Sequence, residues 1–134
     1  MTVANIFVTW RPTLLSILRI ITGFLFAAHG AQKLLGFPAP MPGGPVSPTS
    51  FMGVAGLLEL IGGLLILVGL FTRPVAFILA GEMAVAYFMQ HAPGGFWPIV
   101  NKGELAVLYC FVFLYLAAAG AGPWSLDALL RRKM

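Results

Sequence analysis

Three of the four acidic side chains in this sequence, Glu59, Glu82 and Glu104, lie in or at the edge of long apolar runs, and Arg19, His29, Gln32 and Lys33 lie in another. Each such charge costs about 2.5–3.5 kcal/mol to place in a bilayer, so solubility does not explain them. Of these, His29, Gln32, Lys33, Glu59, Glu82 and Glu104 together with Asn101 make up a polar layer reaching from mid-membrane to one face. Two chemistries suit it. The cations can neutralise the anions and hold helices in register. Alternatively, the layer can bind a polar or redox-active small molecule and exchange protons with it. Quinone reduction, for example, takes two electrons and two protons. His29 and Lys33 have donors for its carbonyl oxygens, Glu59 or Glu82 can exchange protons, and Phe26 or Phe111 can line an apolar slot. Spacing alone does not select a quinone, and no catalytic residue is assigned. Haem is less well supported, because His29 and His91 would have to meet from different elements and there is no Cys-x-x-Cys-His. A metal site from His29, Glu59 and Glu104 has no motif spacing, and no nucleotide loop, nucleophile elbow or metalloprotease motif occurs.

The elements that must position these groups are transmembrane helices. The chain has 134 residues, 60% of them hydrophobic and 9% charged, too few charges to build a soluble surface. Four apolar runs approach the roughly 20 residues that cross a bilayer: 12–35, 51–71, 74–89 and 103–122. They show no two-residue alternation, so helices rather than barrel strands are expected. The breaks are clear: five prolines between Gly36 and Ser50, Thr72-Arg73-Pro74, and the Pro93-Gly94-Gly95 and Pro98 loop. After Pro123, residues 125–132 read as a short amphipathic helix on the membrane surface. The expected fold is therefore an all-α membrane protein, a four-transmembrane-helix bundle with a short C-terminal amphipathic interfacial helix, forming one domain over residues 1–134.

Helical spacing predicts which faces turn inward. In the first run Ser16, Arg19, Gly23, Phe26, Gly30 and Lys33 form a polar, small-residue stripe, opposite a lipid-facing side of Leu14, Leu18, Ile21 and Leu25. Ala55, Gly56, Gly62 and Gly63 surround Glu59, and small residues let helices approach closely, so Glu59 points into the bundle. Glu82 has apolar neighbours and is placed inward by its cost in lipid. In the fourth run Glu104, Val107, Phe111 and Tyr115 share the face expected to turn inward, with Tyr115 a second polar group deeper in. Arg19 lies nearer the opposite end and can snorkel to the surface.

Charge sets the topology. With four spans, Arg11, Arg73, Arg131, Arg132 and Lys133 share one side and Lys33 and Lys102 the other, which favours both termini in the cytoplasm. A cleaved signal peptide is disfavoured, since the first run exceeds a signal h-region and Ala27-Ala28-His29 is a poor cleavage site. The basic cluster at 131–133 serves orientation, and no nucleic-acid partner is expected. Cys110, the sole cysteine, reads as a small buried hydrophobe.

Four blocks carry a family resemblance: Arg19 and Gly23 followed by His29-Gly30-Ala31-Gln32-Lys33-Leu34; Gly56-Leu57-Leu58-Glu59-Leu60-Ile61-Gly62-Gly63; Leu70-Phe71-Thr72-Arg73-Pro74; and Asn101-Lys102-Gly103-Glu104-Leu105. In that order and spacing, over about Leu14 to Gly120, the chain resembles the DoxX family. The resemblance implies a four-helix bacterial inner-membrane protein. Relatives include a subunit of an archaeal thiosulfate:quinone oxidoreductase and proteins tied to membrane oxidoreductase complexes and quinone or oxidative-stress responses. It directs attention to Arg19, His29, Lys33, Glu59, Glu82, Asn101 and Glu104 as an intramembrane ligand site. No covalent haem, flavin or iron–sulfur motif is present, so this chain alone is not expected to oxidise thiosulfate; the cofactor is left unknown, a quinone being the one considered. The leading expectation is a subunit or accessory of a quinone-linked oxidoreductase system, with a redox-protein partner or a homo-oligomer. The alternatives are a non-catalytic assembly or scaffold protein and a small proton-coupled transporter.

Overall fold

The computed structural model describes residues 2–134. All regular structure among them is helical: α1, Val3–Leu35; α2, Phe51–Val68; α3, Thr72–Gly94; α4, the single turn Pro98–Asn101; α5, Glu104–Ala119; and α6, Leu126–Arg131. Three helices are long and apolar enough to cross a membrane, α1 with 33 residues, α2 with 18 and α3 with 23. The apolar α5 is shorter at 16 residues, about 24 Å at 1.5 Å per residue. Leu14, Ile21, Leu25 and Phe24 are exposed on α1, as are Val54 and Ile61 on α2, which gives the outside an apolar surface suited to lipid.

Helix α1 starts nine residues before the predicted Pro12 and runs through that proline. The Thr2 hydroxyl accepts from Asn5 N–H and caps the added turns. At the other end Gly36, at φ 66°, terminates α1, its N–H bonding to Gln32 O.

Two close-packed pairs make the bundle: α1 lies along α2, and α3 along α5. Glycine sets the first pair's spacing. A Cβ on Gly23 would lie 2.5 Å from Leu67 N and 2.8 Å from Gly63 O, and one on Gly63 would meet Ala27 backbone. The predicted small-residue face of α2 is thus the contact face. Between Leu58 and Gly62 this helix widens to π geometry, and α3 does so again over Tyr87–His91. Phe26, Ile66, Leu79, Phe113 and Leu116 fill the core.

Helix α5 is rotated from the predicted face. Phe111 and Tyr115 are 64% and 57% exposed, while Ala106, Tyr109, Phe113 and Leu116 are buried. The helix is apolar on every side, so no polar contrast orients it. Aromatic packing does, with Phe26 edge-on to Tyr109 and Phe113 at 5.0 and 4.8 Å between centroids.

Arg19 does not snorkel. It is fully buried, donating from Nε to Ala121 O (2.7 Å), from Nη1 to Ile66 O (2.8 Å) and Leu67 O (2.7 Å), and from Nη2 to Trp124 O (2.5 Å). The chain after α5 folds back across the end of α2 to supply two of those carbonyls. Helix α6, capped by Ser125, is likewise not merely laid on the surface. The Asp127 carboxylate accepts from Phe71 and Thr72 N–H at 2.9 Å each, capping α3, and Asp127 N–H donates to Gly69 O.

Replacing Arg19 with leucine removes the shared donor from four carbonyls, of which Ile66 O keeps Gly69 N–H. Each uncompensated buried polar group costs about 1–3 kcal/mol, so Arg19→Leu should lower the unfolding midpoint in detergent by far more than the lipid-facing Leu18→Ala. Equal midpoints for the two variants would refute the staple.

Candidate functional site

At the end of the bundle away from Arg19, the two helix pairs part around a cavity of about 440 Å³. His29 and Lys33 reach it from α1, Glu59 from α2, Glu82 from α3 and Tyr109 from α5. Apolar walls come from Phe26, Met83 and Ala106, and the rim carries the exposed Phe51, Val85 and Leu105. Four of the seven predicted residues therefore converge: His29, Lys33, Glu59 and Glu82.

Local structure explains the convergence. Close approach at Gly30 and Gly56 sets the last turns of α1 against the first turns of α2, where a Cβ on Gly56 would lie 3.2 Å from Lys33 Cβ. Lys33 Nζ then reaches Glu59 Oε1 at 2.6 Å, the only side-chain ion pair among the described residues. Glu59 is 4% exposed and sits at the start of the π segment of α2, a distortion often found where helices carry function. The π segment of α3 ends with Gln90 and His91, which also line the cavity. Both distortions thus bring residues to one place.

The site is short of partners for its acids. Glu59 Oε2 and both Glu82 carboxyl oxygens are buried and accept no hydrogen bond. A buried polar atom left unpaired is costly, and three beside one cavity call for hydrogen-bonding content. His29 meets the edge of Tyr109 at 6.0 Å, and Tyr109 stacks on Phe113, so an aromatic layer closes the cavity toward mid-bundle.

Three predicted residues stand apart. Arg19 belongs to the opposite end, because the carbonyls of Ile66, Leu67, Ala121 and Trp124 hold it there. Glu104 is exposed at the start of α5, in a shallow depression with Pro98 and Lys102, outside the cavity lining. Asn101 braces the rim instead of lining it. Its Nδ2 donates to Gly95 O (2.9 Å) and the Tyr87 hydroxyl (3.2 Å), and its Oδ1 accepts from Gly103 N–H. His91 Nδ1 lies 3.1 Å from Asn101 O, so this loop fixes the histidine at the mouth. Gln32 also turns to a loop, donating to Ala39 O.

Sequence reasoning missed Tyr109 and Gln90, considered His91 only as an iron ligand, and counted Lys102 only for topology. Tyr109 is one of two tyrosines in a uniformly apolar helix, and the stripe anchored on Glu104 picked the other. Gln90 and His91 come into place through a π turn, which shifts their direction from ordinary helical spacing.

An all-helical protein with an apolar exterior and helices long enough to cross a bilayer is a membrane protein. The chain belongs to the DoxX family, whose model matches residues 14–92. An uncharacterised Haemophilus influenzae protein is 47% identical over 122 residues, covering 88% of this chain and 91% of its own length. The Escherichia coli inner membrane protein YqjF is 33% identical, with 86% of this chain and 90% of its own covered. A Bacillus subtilis protein bearing the name "Putative oxidoreductase CatD" is 32% identical, with 83% and 82% covered. No solved structure matches the chain significantly.

The Lys33–Glu59 pair makes a double-mutant prediction. Removing one partner of a buried pair costs about 3–5 kcal/mol, whereas replacing both with apolar groups is often neutral. Lys33→Met should therefore destabilise the protein clearly in thermal unfolding, and Lys33→Met with Glu59→Leu should recover most of the loss. Strictly additive losses would show that the two side chains are not coupled.

Proposed function

We propose that this protein is a subunit or accessory of a quinone-linked oxidoreductase system and that the cavity between its helix pairs takes the quinone headgroup. The observation that carries this reading is the three unpartnered carboxyl oxygens of Glu59 and Glu82 beside an aromatic-walled cavity. A volume of about 440 Å³ falls within the range of small-molecule sites. A bound quinone would accept and release electrons there. The protein's part is to hold and protonate it. Lys33 and His29 offer donors to a carbonyl oxygen. Glu82, when protonated, donates to the other and passes its proton on. Phe26 and Tyr109 pack against the ring, while Phe51 and Leu105 at the rim suit entry from lipid. With one cysteine and no flavin motif in the chain, this reading takes its electrons from a partner protein. The relative named as an oxidoreductase and the inner-membrane relative agree with this setting.

In this reading α5 is the fourth span of a single domain, and both termini face the cytoplasm. A fluorescent protein that matures only in the cytoplasm, fused after Met134, should light up, whereas alkaline phosphatase fused there should be inactive. The reverse pattern would invert the topology.

Ligand binding is tested by equilibrium dialysis of the detergent-solubilised protein with a short-chain benzoquinone. Saturable binding is expected. Because a buried hydrogen bond between neutral groups contributes about 0.5–1.5 kcal/mol, Glu82→Leu and His29→Ala, which remove the donor, should each weaken it by about two- to tenfold. Absence of saturable binding, or variants indistinguishable from the parent, would overturn the proposal.

A further inference from the structure

The opposite end of the bundle holds a second crevice, of about 620 Å³, between the start of α3, the turn after α5 and helix α6. Two arginines, Arg73 and Arg131, line it. Arg73 is held in place by protein alone, its Nη1 donating to Ala117 O at 3.2 Å and also to Ala118 O. Its guanidinium lies across Gly120, where a Cβ would sit 3.1 Å from Nη2, 3.3 Å from Cζ and 3.4 Å from Nε. Gly120, at φ 84°, suits both the turn and the close approach. No hydrogen bond engages Nε or Nη2, the second edge of the fork.

The nearby acid, Asp127, pairs with neither arginine. Both Asp127 oxygens are occupied by the Phe71 and Thr72 N–H groups, and neither Arg73 nor Arg131 forms an ion pair among the described residues. The Thr72 hydroxyl is buried beside them without a partner. A fixed, unpaired guanidinium edge beside a second arginine is suited to phosphate oxygens. The remaining wall is apolar, with Leu15, Phe71 and Leu130. Free phosphate gains nothing from such a wall, whereas a phosphate carrying acyl chains does.

We propose that this crevice binds the phosphate of an anionic phospholipid, Arg73 and Arg131 contacting the phosphate and Leu15, Phe71 and Leu130 its glycerol and acyl portion. The site is separate from the quinone cavity and does not depend on that reading.

The test uses the full chain in detergent, titrated separately with phosphatidylglycerol, phosphatidylcholine and inorganic phosphate. Binding is read from the ligand-dependent rise in melting temperature and from lipid retention in native mass spectrometry. Phosphatidylglycerol should bind more tightly than phosphatidylcholine, and inorganic phosphate at equal concentration should give no shift. Since each basic residue near an anionic surface contributes about 1 kcal/mol, Arg131→Gln should weaken phosphatidylglycerol binding by about fivefold. Arg73→Lys, which keeps the charge but loses the fork, should weaken it too. Arg11→Gln, a basic residue outside this crevice, should leave it unchanged. Equal binding of the two lipids, an equal response to inorganic phosphate, or an equal loss in Arg11→Gln and Arg131→Gln would overturn the proposal. Arg73 also holds the end of α5, so Arg131→Gln decides the matter if the Arg73 variant unfolds.

Discussion

A backbone carbonyl inside a membrane has no water to bond with, and a buried guanidinium has none either. Arg19 resolves both problems in one contact. Its donors meet two carbonyls where α2 ends and two more in the chain beyond α5, so a single side chain joins three separate stretches of backbone. Much follows from that knot. It draws the segment after Ala119 back beneath the bundle, where Asp127 can cap α3, and it pins that end of α1 to α2. The helices are thus tied at one end by charge and backbone. At the other they are linked by the proline-rich loop and the Asn101 turn, and there the polar cavity opens.

Between the two ends, glycine determines where charge can meet charge. The contacts at Gly23, Gly30 and Gly63 bring α1 and α2 to backbone distance, and the same approach carries Lys33 onto Glu59. The pair is a product of helix spacing as much as of attraction. Glu82 comes from the other helix pair, which is held by larger side chains, and it finds no cation. Two acids in one cavity therefore sit in different circumstances, one paired through a tight seam and one left without a protein partner.

Much of this was legible in the amino-acid sequence. Glycines around Glu59 and the polar stripe of α1 predicted an inward face, and both turn inward because small residues and costly charges leave few other choices. The lipid-facing leucines of α1 were equally clear. What could not be read came from two causes. Helix α5 has no polar side, so its rotation depends on how Phe26 meets Tyr109 and Phe113, which is a tertiary contact. The π turns in α2 and α3 break the spacing from which faces are counted, hiding Gln90 and His91. Arg19 was placed near its observed depth but expected to snorkel, because backbone carbonyls leave no mark in a search for opposite charges.

The unpartnered oxygens of Glu59 and Glu82 have one more consequence. A cavity bordered by lipid is surrounded by a competitor at overwhelming concentration, since acyl chains are the solvent. An all-apolar hollow of this size would be filled by them. Chains that pressed into this one would leave carboxyl groups facing hydrocarbon with nothing to bond, so the acids act as a filter against the membrane itself. On the proposed reading, that filter keeps the cavity for a guest with polar atoms to offer.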